Sequence, residues 1–250
     1  MPAEGHVLEG LLSIQAALEA GFRDVNQILI DKDRRSDRRL KGLRRLAEAA
    51  GVAVSFVSRS TIEESASGSS HGGLIARVGE RRYCELEDLL PNAGAAFIVM
   101  LDGIEDPYNF AGAIRALYAA GVDGAVLRPR NWSSATALVA RASAGTIERL
   151  PLAIAETAAD AAAFYRSHGL IVAGTAQTES ARSLYEVDLR APLFLLIGGE
   201  WRGVTRSFLR SADLHLKIPY GRGFGHSLGA VGAASVIAFE VMRQRGMALG

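Results

Sequence analysis

Apolar residues along this chain fall into two alternating patterns: short continuous runs, and longer segments in which they recur every three or four positions. In the first 80 residues the runs "VNQILI", "VAVSFV" and "LIARV" predict strands, and "VLEGLLSIQAALEAG" predicts a helix closed by Gly21. Residues 31–51, "DKDRRSDRRLKGLRRLAEAAG", predict an amphipathic helix because four apolar residues fall at helical spacing: Leu40, Leu43, Leu46 and Ala47. The first part of the chain is therefore predicted to be a small α/β unit.

The polar stretch "GERRYCELEDLLPNAG" carries a proline and no clear period, so it predicts a linker. From Ala95 onward apolar strands alternate strictly with helices, and the chain closes on the long helix "SLGAVGAASVIAFEVMRQRG". Such alternation is typical of a mostly parallel sheet with helices on both faces. The predicted organisation is a small domain at residues 1–79, a linker at 80–94 and an α/β domain at 95–250.

Loops beyond the carboxyl ends of parallel strands form the ligand sites of such sheets. Four loops are informative here: "DGIEDPYNF", "AGTAQTES", "IGGEWRG" and "IPYGRGFGHS". The first lacks the G-x-G-x-x-G of a dinucleotide site, so no motif supports an oxidoreductase, and no P-loop pattern is present. "GHSLG" matches the G-x-S-x-G of serine hydrolases, but no histidine follows Ser227, as the order of that triad would require.

The composition of the chain indicates the class of protein and the compartment in which it works. Hydrophobic residues make up 49% of the chain and charged residues 22%, as in ordinary globular proteins. No apolar run reaches the roughly 18–20 residues of a membrane span, and the N-terminus lacks a secretion signal. The single cysteine, Cys84, fits a reducing compartment, and the five histidines show no metal-ligand spacing. A cytoplasmic protein with no membrane partner and no metal is expected.

Many of the basic residues are concentrated in one segment of the chain. Net charge is only +1, yet residues 31–51 contain six arginines and two lysines. A solvated helix face and a phosphate-contacting face both fit this pattern, and charge alone favours the solvated face.

Three segments in order resemble the SpoU (TrmH-like) RNA ribose 2′-O-methyltransferases. "LDGIEDPYNFAGAIRALYAAGVDGAVL" resembles the first motif of that family, with Asn109 and Arg115 at the family spacing. "LLIGGEWRGV" resembles the second, and "LKIPYGRGFGHSLGAVGAASVIAFE" the third. "ASAGTIERLP" resembles the segment before the family's third strand. The resemblance runs from about Leu101 to the C-terminus.

The N-terminal unit adds a second resemblance. "EGHVLEGLLSIQAALEAG" and "SSHGGLIARV" resemble the substrate-binding domain often attached to this enzyme core, which has a ribosomal-protein-like RNA-binding fold. In this context a phosphate-contacting role for the basic segment becomes the favoured interpretation. The predicted RNA-binding residues are Arg35, Arg38, Arg39 and Arg45.

The family resemblance implies an α/β domain with a C-terminal trefoil knot, S-adenosylmethionine as cofactor, a homodimer, and methyl transfer to a ribose 2′-hydroxyl of rRNA or tRNA. The residues that it implies for cofactor binding are Thr175, Ala176, Gly198, Gly199, Gly203, Ile218, Tyr220, Ser227 and Leu228. Those that it implies for catalysis are Arg115, Asn109, Glu200 and Ser227. Gly221, Gly223 and Gly225 are expected to let the third motif turn tightly around the cofactor.

Two of the departures from the family pattern suggest an alternative function. Tyr220 stands where the family has methionine, and Gly229 stands where the family motif S-L-N has asparagine. The loss of that amide would remove hydrogen bonds from the site. An RNA-binding protein on the same fold that has lost turnover is therefore the alternative function.

Overall fold

The structure is a computed structural model that describes residues 6–129, 136–199 and 201–246. Its contacts divide this part of the chain into two compact units. The first contains residues 6–82 together with 136–149, and the second contains 83–129 and 150–246, apart from residue 200. Within the described ranges, no helix combines the length and the apolar character that crossing a bilayer requires.

The first unit is built on a mixed sheet whose strands lie in the order β1-β4-β2-β3. Strand β2 pairs in parallel with β3, and β4 is antiparallel to both β1 and β2. The strands are β1 (His6–Glu9), β2 (Val25–Asp31), β3 (Ala53–Val57) and β4 (Leu74–Val78). The helices of the N-terminal part are α1 (Leu11–Ala20), α2 (Lys41–Ala49) and α3 (Arg59–Ser65).

The helix predicted from Val7 onward starts only at Leu11. The residues before it form β1, which pairs with β4, and Gly10 separates strand from helix with φ of 81°. Sheet pairing with a distant strand outweighs the local helical pattern here. The predicted C-terminal cap is confirmed, because Gly21 adopts the left-handed conformation with φ of 69°.

The basic segment is not one helix. Two 3₁₀ turns, Lys32–Arg34 and Arg38–Leu40, precede α2. The Asp31 carboxylate accepts the Asp33 N–H at 3.1 Å, and the Asp37 carboxylate accepts the Arg39 N–H at 2.9 Å. These side-chain bonds compete with regular helix and close local turns. The prediction of a single helix over residues 31–51 is therefore wrong, although its buried apolar face, with Leu40 and Leu43, is confirmed.

Helices α5 (Thr136–Ala142) and α6 (Thr146–Arg149) pack in the first unit against α1 and β1. A methyl group added at Gly145 would lie 2.6 Å from the Leu12 carbonyl oxygen, so backbone meets backbone at this contact. The buried Glu148 carboxylate accepts two hydrogen bonds from Arg23, at 2.8 and 3.0 Å. Buried charges need such pairing, because an unpartnered charge in the interior is costly.

The second unit contains a parallel sheet in the order β7-β6-β5-β10-β8-β11-β9. Every strand pairing described in it is parallel, which confirms the predicted mostly parallel α/β sheet. Its strands are β5 (Phe97–Asp102), β6 (Gly124–Leu127), β7 (Leu152–Ile154), β8 (Ile171–Thr175), β9 (Arg182–Ser183), β10 (Leu193–Gly198) and β11 (Leu214–Lys217).

Helices α4 (Pro107–Ala119), α7 (Ala158–Ser167), α8 (Arg206–Ser211) and α9 (Ala230–Gln244) belong to the second unit. Helix α4 begins with the pattern expected of a helix start: Asp106 caps it, accepting the Asn109 N–H at 2.7 Å, and Pro107 follows. Helices α4 and α9 approach closely, because a methyl group at Gly112 would lie 3.0 Å from Val231 Cγ2. This contact brings the first and third motifs together.

The core of the second unit centres on stacked aromatic rings. Tyr165 and Phe194 lie with their centroids 4.9 Å apart, and the Tyr165 hydroxyl donates to the Leu86 carbonyl at 3.0 Å. Burial raises the pKa of Tyr165. Much of the segment predicted as a linker is packed here: Leu89 is buried in the same cluster, and the Cys84 N–H donates to the Leu152 carbonyl at 2.8 Å.

Candidate active site

A cavity of about 380 Å³ lies at the carboxyl ends of β8, β10 and β11, beside the first turns of α9. Its apolar lining includes Ile197, Leu209, Leu216 and Ile237. This is where an open parallel sheet binds its ligands, and the volume lies in the range of small-molecule and cofactor sites.

All nine residues predicted to bind the cofactor line this one cavity. They are Thr175, Ala176, Gly198, Gly199, Gly203, Ile218, Tyr220, Ser227 and Leu228. Sequence reasoning missed further lining residues, notably Gln177, Thr178, Arg202 and Arg206. Gln177, Thr178 and Arg202 lie in the informative loops after β8 and β10, and this position is the signal that could have identified them. Arg206 lies just beyond the second of these loops, at the start of α8.

Two glycines of the second motif are required by backbone packing. A methyl group at Gly198 would lie 2.1 Å from the Gly203 carbonyl carbon, and one at Gly199 would lie 1.9 Å from the Gly103 carbonyl oxygen. Gly203 has φ of 57°, and its N–H donates to the Gly199 carbonyl at 2.8 Å. The motif thus folds back on itself at the end of β10 and lies directly against the loop after β5.

The third motif forms the exposed side of the cavity. The Leu228 N–H donates to the Tyr220 hydroxyl at 3.0 Å, and the Tyr220 ring packs edge-on against Phe224 with centroids 5.6 Å apart. Gly221, Gly223 and Gly225 do not have left-handed φ, and a methyl group on any of them would meet open space. The turn of this loop therefore does not itself require these three glycines.

The predicted catalytic residues occupy different places. Ser227 lines the cavity, whereas Asn109 and Arg115 lie on α4 and do not. Arg115 is exposed, and within the described ranges its guanidinium forms no hydrogen bond or ion pair. Glu200 lies outside the described residues. Helix α4 thus presents a cation that is available to an anionic ligand.

Basic residues of the first unit line a second concavity, here called the basic cleft. It is formed by Arg35, Ser36, Asp37, Arg38, Lys41, Arg44, Arg45 and Glu48. Three of the four predicted RNA-binding arginines are among them, but Arg39 is not. Its guanidinium donates two hydrogen bonds to the Asp37 carboxylate, Nε to Oδ1 and Nη2 to Oδ2, both at 3.0 Å.

Metal chemistry has no visible support in the part of the chain that the structure describes. No group of three or more histidine, cysteine, aspartate or glutamate side chains there could hold a metal ion.

The two concavities and the three sequence motifs agree with comparisons to known proteins. The chain belongs to the SpoU rRNA Methylase family, which matches residues 96–239, and residues 7–84 match the RNA 2′-O ribose methyltransferase substrate-binding family. The predicted family and enzyme class, an S-adenosylmethionine-dependent RNA 2′-O-methyltransferase, are confirmed. The catalytic interpretation is favoured over the non-catalytic alternative.

Two curated relatives match this chain over nearly its whole length. The 23S rRNA (guanosine-2′-O-)-methyltransferase RlmB of Yersinia pestis is 33% identical, over 96% of this chain and 98% of the relative. The protein of the same name from Escherichia coli is 30% identical, with the same coverage.

Solved structures match at similar coverage. The crystal structure of an RNA 2′-O ribose methyltransferase is 25% identical, with a TM-score of 0.76 over 96% of this chain and 88% of that one. The AdoMet-bound rRNA methyltransferase from Sinorhizobium meliloti has a TM-score of 0.78 at 24% identity, over 96% of this chain and 87% of that one. At 24% identity, the likeness to the Sinorhizobium meliloti structure shows a shared fold and nothing more specific.

Proposed function

We propose that this chain transfers the methyl group of S-adenosylmethionine to the ribose 2′-hydroxyl of a guanosine in 23S rRNA. The observation that carries this proposal is the convergence of the second and third motifs on one cavity at the ends of β8, β10 and β11. The substrate is inferred from the relatives, which match at 96% coverage and act on guanosine in that RNA by their names. tRNA is the second substrate to be tested.

The residues of the cavity fit this cofactor. Ile197, Leu216 and Ile218 supply an apolar surface suited to an adenine ring, and Gly198, Gly199 and Gly203 place backbone in the lining of the cavity. Arg202 and Arg206 line the same cavity and suit the carboxylate of the methionine part. When bound, S-adenosylmethionine supplies a methyl group on a positively charged sulfur and leaves as a neutral thioether.

The residues of the chain must then activate a weak nucleophile. A ribose hydroxyl has a high pKa, so transfer requires stabilisation of the negative charge that develops as its proton is lost. Arg115 keeps its charge because the pKa of arginine exceeds about 12, and it therefore acts by electrostatic stabilisation or by clamping an RNA phosphate rather than as a base. We assign Asn109 and Glu200 to orienting Arg115 once RNA is bound, and Ser227, which lines the cavity, to shaping the pocket.

We extend the proposal to the organisation of the molecule. Residues 1–79 form a ribosomal-protein-like domain that binds RNA through Arg35, Arg38 and Arg45, which line the basic cleft. Residues 80–94 link it, and residues 95–250 form the knotted catalytic domain. The knot is inferred from the family resemblance of the second and third motifs, which meet at one cavity. Action on rRNA implies a cytoplasmic enzyme.

A homodimer is part of the same proposal. Exposed aromatic side chains lie on both packed helices of the second unit, Tyr108 and Tyr118 on α4 and Phe239 on α9. Phe224 and Leu228 of the third motif are also exposed. Exposed aromatic and apolar side chains beside a site are typical of an interface.

The test is methyl transfer from labelled S-adenosylmethionine to purified 23S rRNA and to tRNA. Arg115→Ala should lower the rate by about 10²–10³-fold, the usual effect of removing a group that stabilises developing charge. Cofactor affinity should not change, because Arg115 does not line the cavity. The matched control is Arg190→Ala, an exposed arginine paired with Asp188, which should retain full activity. RNA binding without transfer to either RNA would contradict the proposal and support the non-catalytic alternative.

A further inference from the structure

We propose that Arg35 and Arg44, stacked on Phe56, are the principal phosphate ligands of the basic cleft and hold the sugar–phosphate backbone of the substrate RNA. The inference rests on the proposed function in taking the ligand to be RNA. It goes beyond that function by assigning unequal roles to arginines that are indistinguishable in the sequence.

The first argument is the balance of charge. Five basic side chains line the basic cleft, against the carboxylates of Asp37 and Glu48. Among the described residues, no hydrogen bond or ion pair engages the side chains of the five: Arg35, Arg38, Lys41, Arg44 and Arg45. The cleft therefore carries positive charge that is not neutralised within the unit, as a binding site for a polyanion does.

The second argument is the arrangement around Phe56. This residue lies on β3, which forms one edge of the sheet in the first unit. The Arg35 Cζ lies 4.8 Å from the centroid of its ring, and the Arg44 Cζ lies 5.7 Å from the same centroid. Both distances fall within the range of cation–π attraction. One ring therefore gathers two guanidinium groups that would otherwise repel each other.

Stacking of this kind prepares arginine for phosphate. A guanidinium held by the face of an aromatic ring keeps the N–H groups along its edge free to donate in the forked geometry that phosphate oxygens accept. The ring also limits the motion of a long, flexible side chain, which reduces the entropy lost on binding. Phe56 thus acts as a positioning residue for Arg35 and Arg44.

The third argument is the contrasting state of Arg39 and Arg34. Arg39 is exposed, but both arms of its fork are engaged by Asp37, and Arg34 donates to the same carboxylate at 3.2 and 2.7 Å. Arg39 and Arg34 hold the pKa of Asp37 well below its usual range, so this carboxylate stays ionised wherever RNA would bind. Arg39, although predicted to bind RNA, is therefore largely occupied within the protein.

The residues that line the basic cleft also indicate the kind of contact that it makes with RNA. The basic cleft contains arginine, lysine, serine and carboxylate groups, and neither asparagine nor glutamine lines it. Contacts from guanidinium groups to phosphates position RNA without distinguishing its sequence. The basic cleft is expected to supply affinity, with similar strength for RNAs of different sequence.

The experiment measures binding of the full chain to a fluorescently labelled RNA stem-loop and to a stem-loop of scrambled sequence, by anisotropy over a series of salt concentrations. The Arg35→Ala/Arg44→Ala double variant should bind both RNAs at least about tenfold more weakly. Its slope of log affinity against log salt should be shallower by about 1–2, because about two phosphate contacts are lost. Arg39→Ala removes one positive charge from the same segment, so it is the matched control for each single variant, Arg35→Ala or Arg44→Ala, and should change affinity less than about twofold.

Phe56→Leu separates stacking from charge. This variant keeps every cation, so the salt slope should stay unchanged while affinity falls by a few-fold. Thermal unfolding of each variant, with S-adenosylmethionine binding, checks that both units remain folded. Equal losses in Arg39→Ala and in either single variant, Arg35→Ala or Arg44→Ala, would overturn the proposal in favour of a diffuse charge effect, as would full affinity in the double variant.

Failure of the basic-cleft proposal can be distinguished from failure of the proposed function. Methyl transfer by the double variant at saturating RNA should approach that of the unaltered chain, because the basic cleft lies in the first unit and the cofactor cavity in the second. If no transfer occurs in any variant but the binding differences are found, the cleft assignment stands and the proposed reaction fails.

Discussion

The cavity of the second unit and the basic cleft of the first are built by opposite means. Four separate segments between residues 175 and 237 form the cavity, and its critical contacts are made by backbone atoms at Gly198, Gly199 and Gly203. The basic cleft is formed by one stretch, residues 35–48, and its contacts are made by long charged side chains.

This difference determines how each site can be identified. At the cavity, segments of backbone pack so closely that only glycine fits at Gly198 and Gly199. A sequence motif therefore predicts the lining residues well. At the basic cleft each arginine satisfies the pattern equally, and its role depends on whether a carboxylate or a ring is nearby. Asp37 engages Arg39, and Phe56 holds Arg35 and Arg44.

Adding a methyl group at Gly198 tests this contrast, and it should have the largest effect on cofactor binding. Gly198→Ala should weaken S-adenosylmethionine binding, because the added carbon would lie 2.1 Å from the Gly203 carbonyl carbon and must displace the motif. Overpacking of this kind costs about 1–3 kcal/mol, which corresponds to roughly 5- to 150-fold in Kd if it falls on the binding-competent state. Calorimetric titration measures the change.

Gly221→Ala is the matched control, because a methyl group there meets open space and the φ of Gly221 is not left-handed. Its cofactor affinity should equal that of the unaltered chain. A loss as large as that of Gly198→Ala would show that close approach of backbone is not what distinguishes the two glycines. RNA affinity should be unaffected in both variants, since neither touches the basic cleft.

A smaller effect is expected at Tyr220, a cavity residue whose side chain ties the loop of the third motif. Tyr220→Phe removes the hydroxyl that accepts the Leu228 N–H at 3.0 Å. A single hydrogen bond contributes about 0.5–1.5 kcal/mol, so cofactor Kd should rise by roughly two- to tenfold as the loop loses order. Tighter binding in this variant would mean instead that the hydroxyl competes with the ligand for that N–H.

The smallest effect is expected at Gly229. It is the N-cap of α9 and has no side-chain capping bond, so Gly229→Asn supplies a preferred cap. Replacing glycine by asparagine at this position stabilises a helix by only a few tenths of a kcal/mol, or about 1 °C in Tm. Thermal melting measures that gain, and methyl transfer measured in parallel tests the amide itself. A rise in rate well beyond the change in stability would show that the missing amide limits catalysis.

Much of the fold could be predicted because its strands and helices follow hydrophobic periodicity. Strands β2 to β4, the parallel strands of the second unit other than β9, and α9 all fall where that pattern predicts them. The failures have local or distant causes: His6–Glu9 is a strand because it pairs with β4, and residues 32–40 form 3₁₀ turns because Asp31 and Asp37 close them. The packing of α5 and α6 with α1 has no signature in their own residues.

The sequence by itself determined the alternation of strands and helices, the parallel sheet and the family motifs, because periodicity and motif spacing are local properties of the chain. The tertiary structure decided which residues meet. It brought Thr175, Gly198 and Leu228 to one cavity. It also placed Phe56 against Arg35 and Arg44 while Asp37 took Arg39. The physical reason is that hydrogen bonds and cation–π contacts depend on distances of a few ångströms, which only the folded chain fixes.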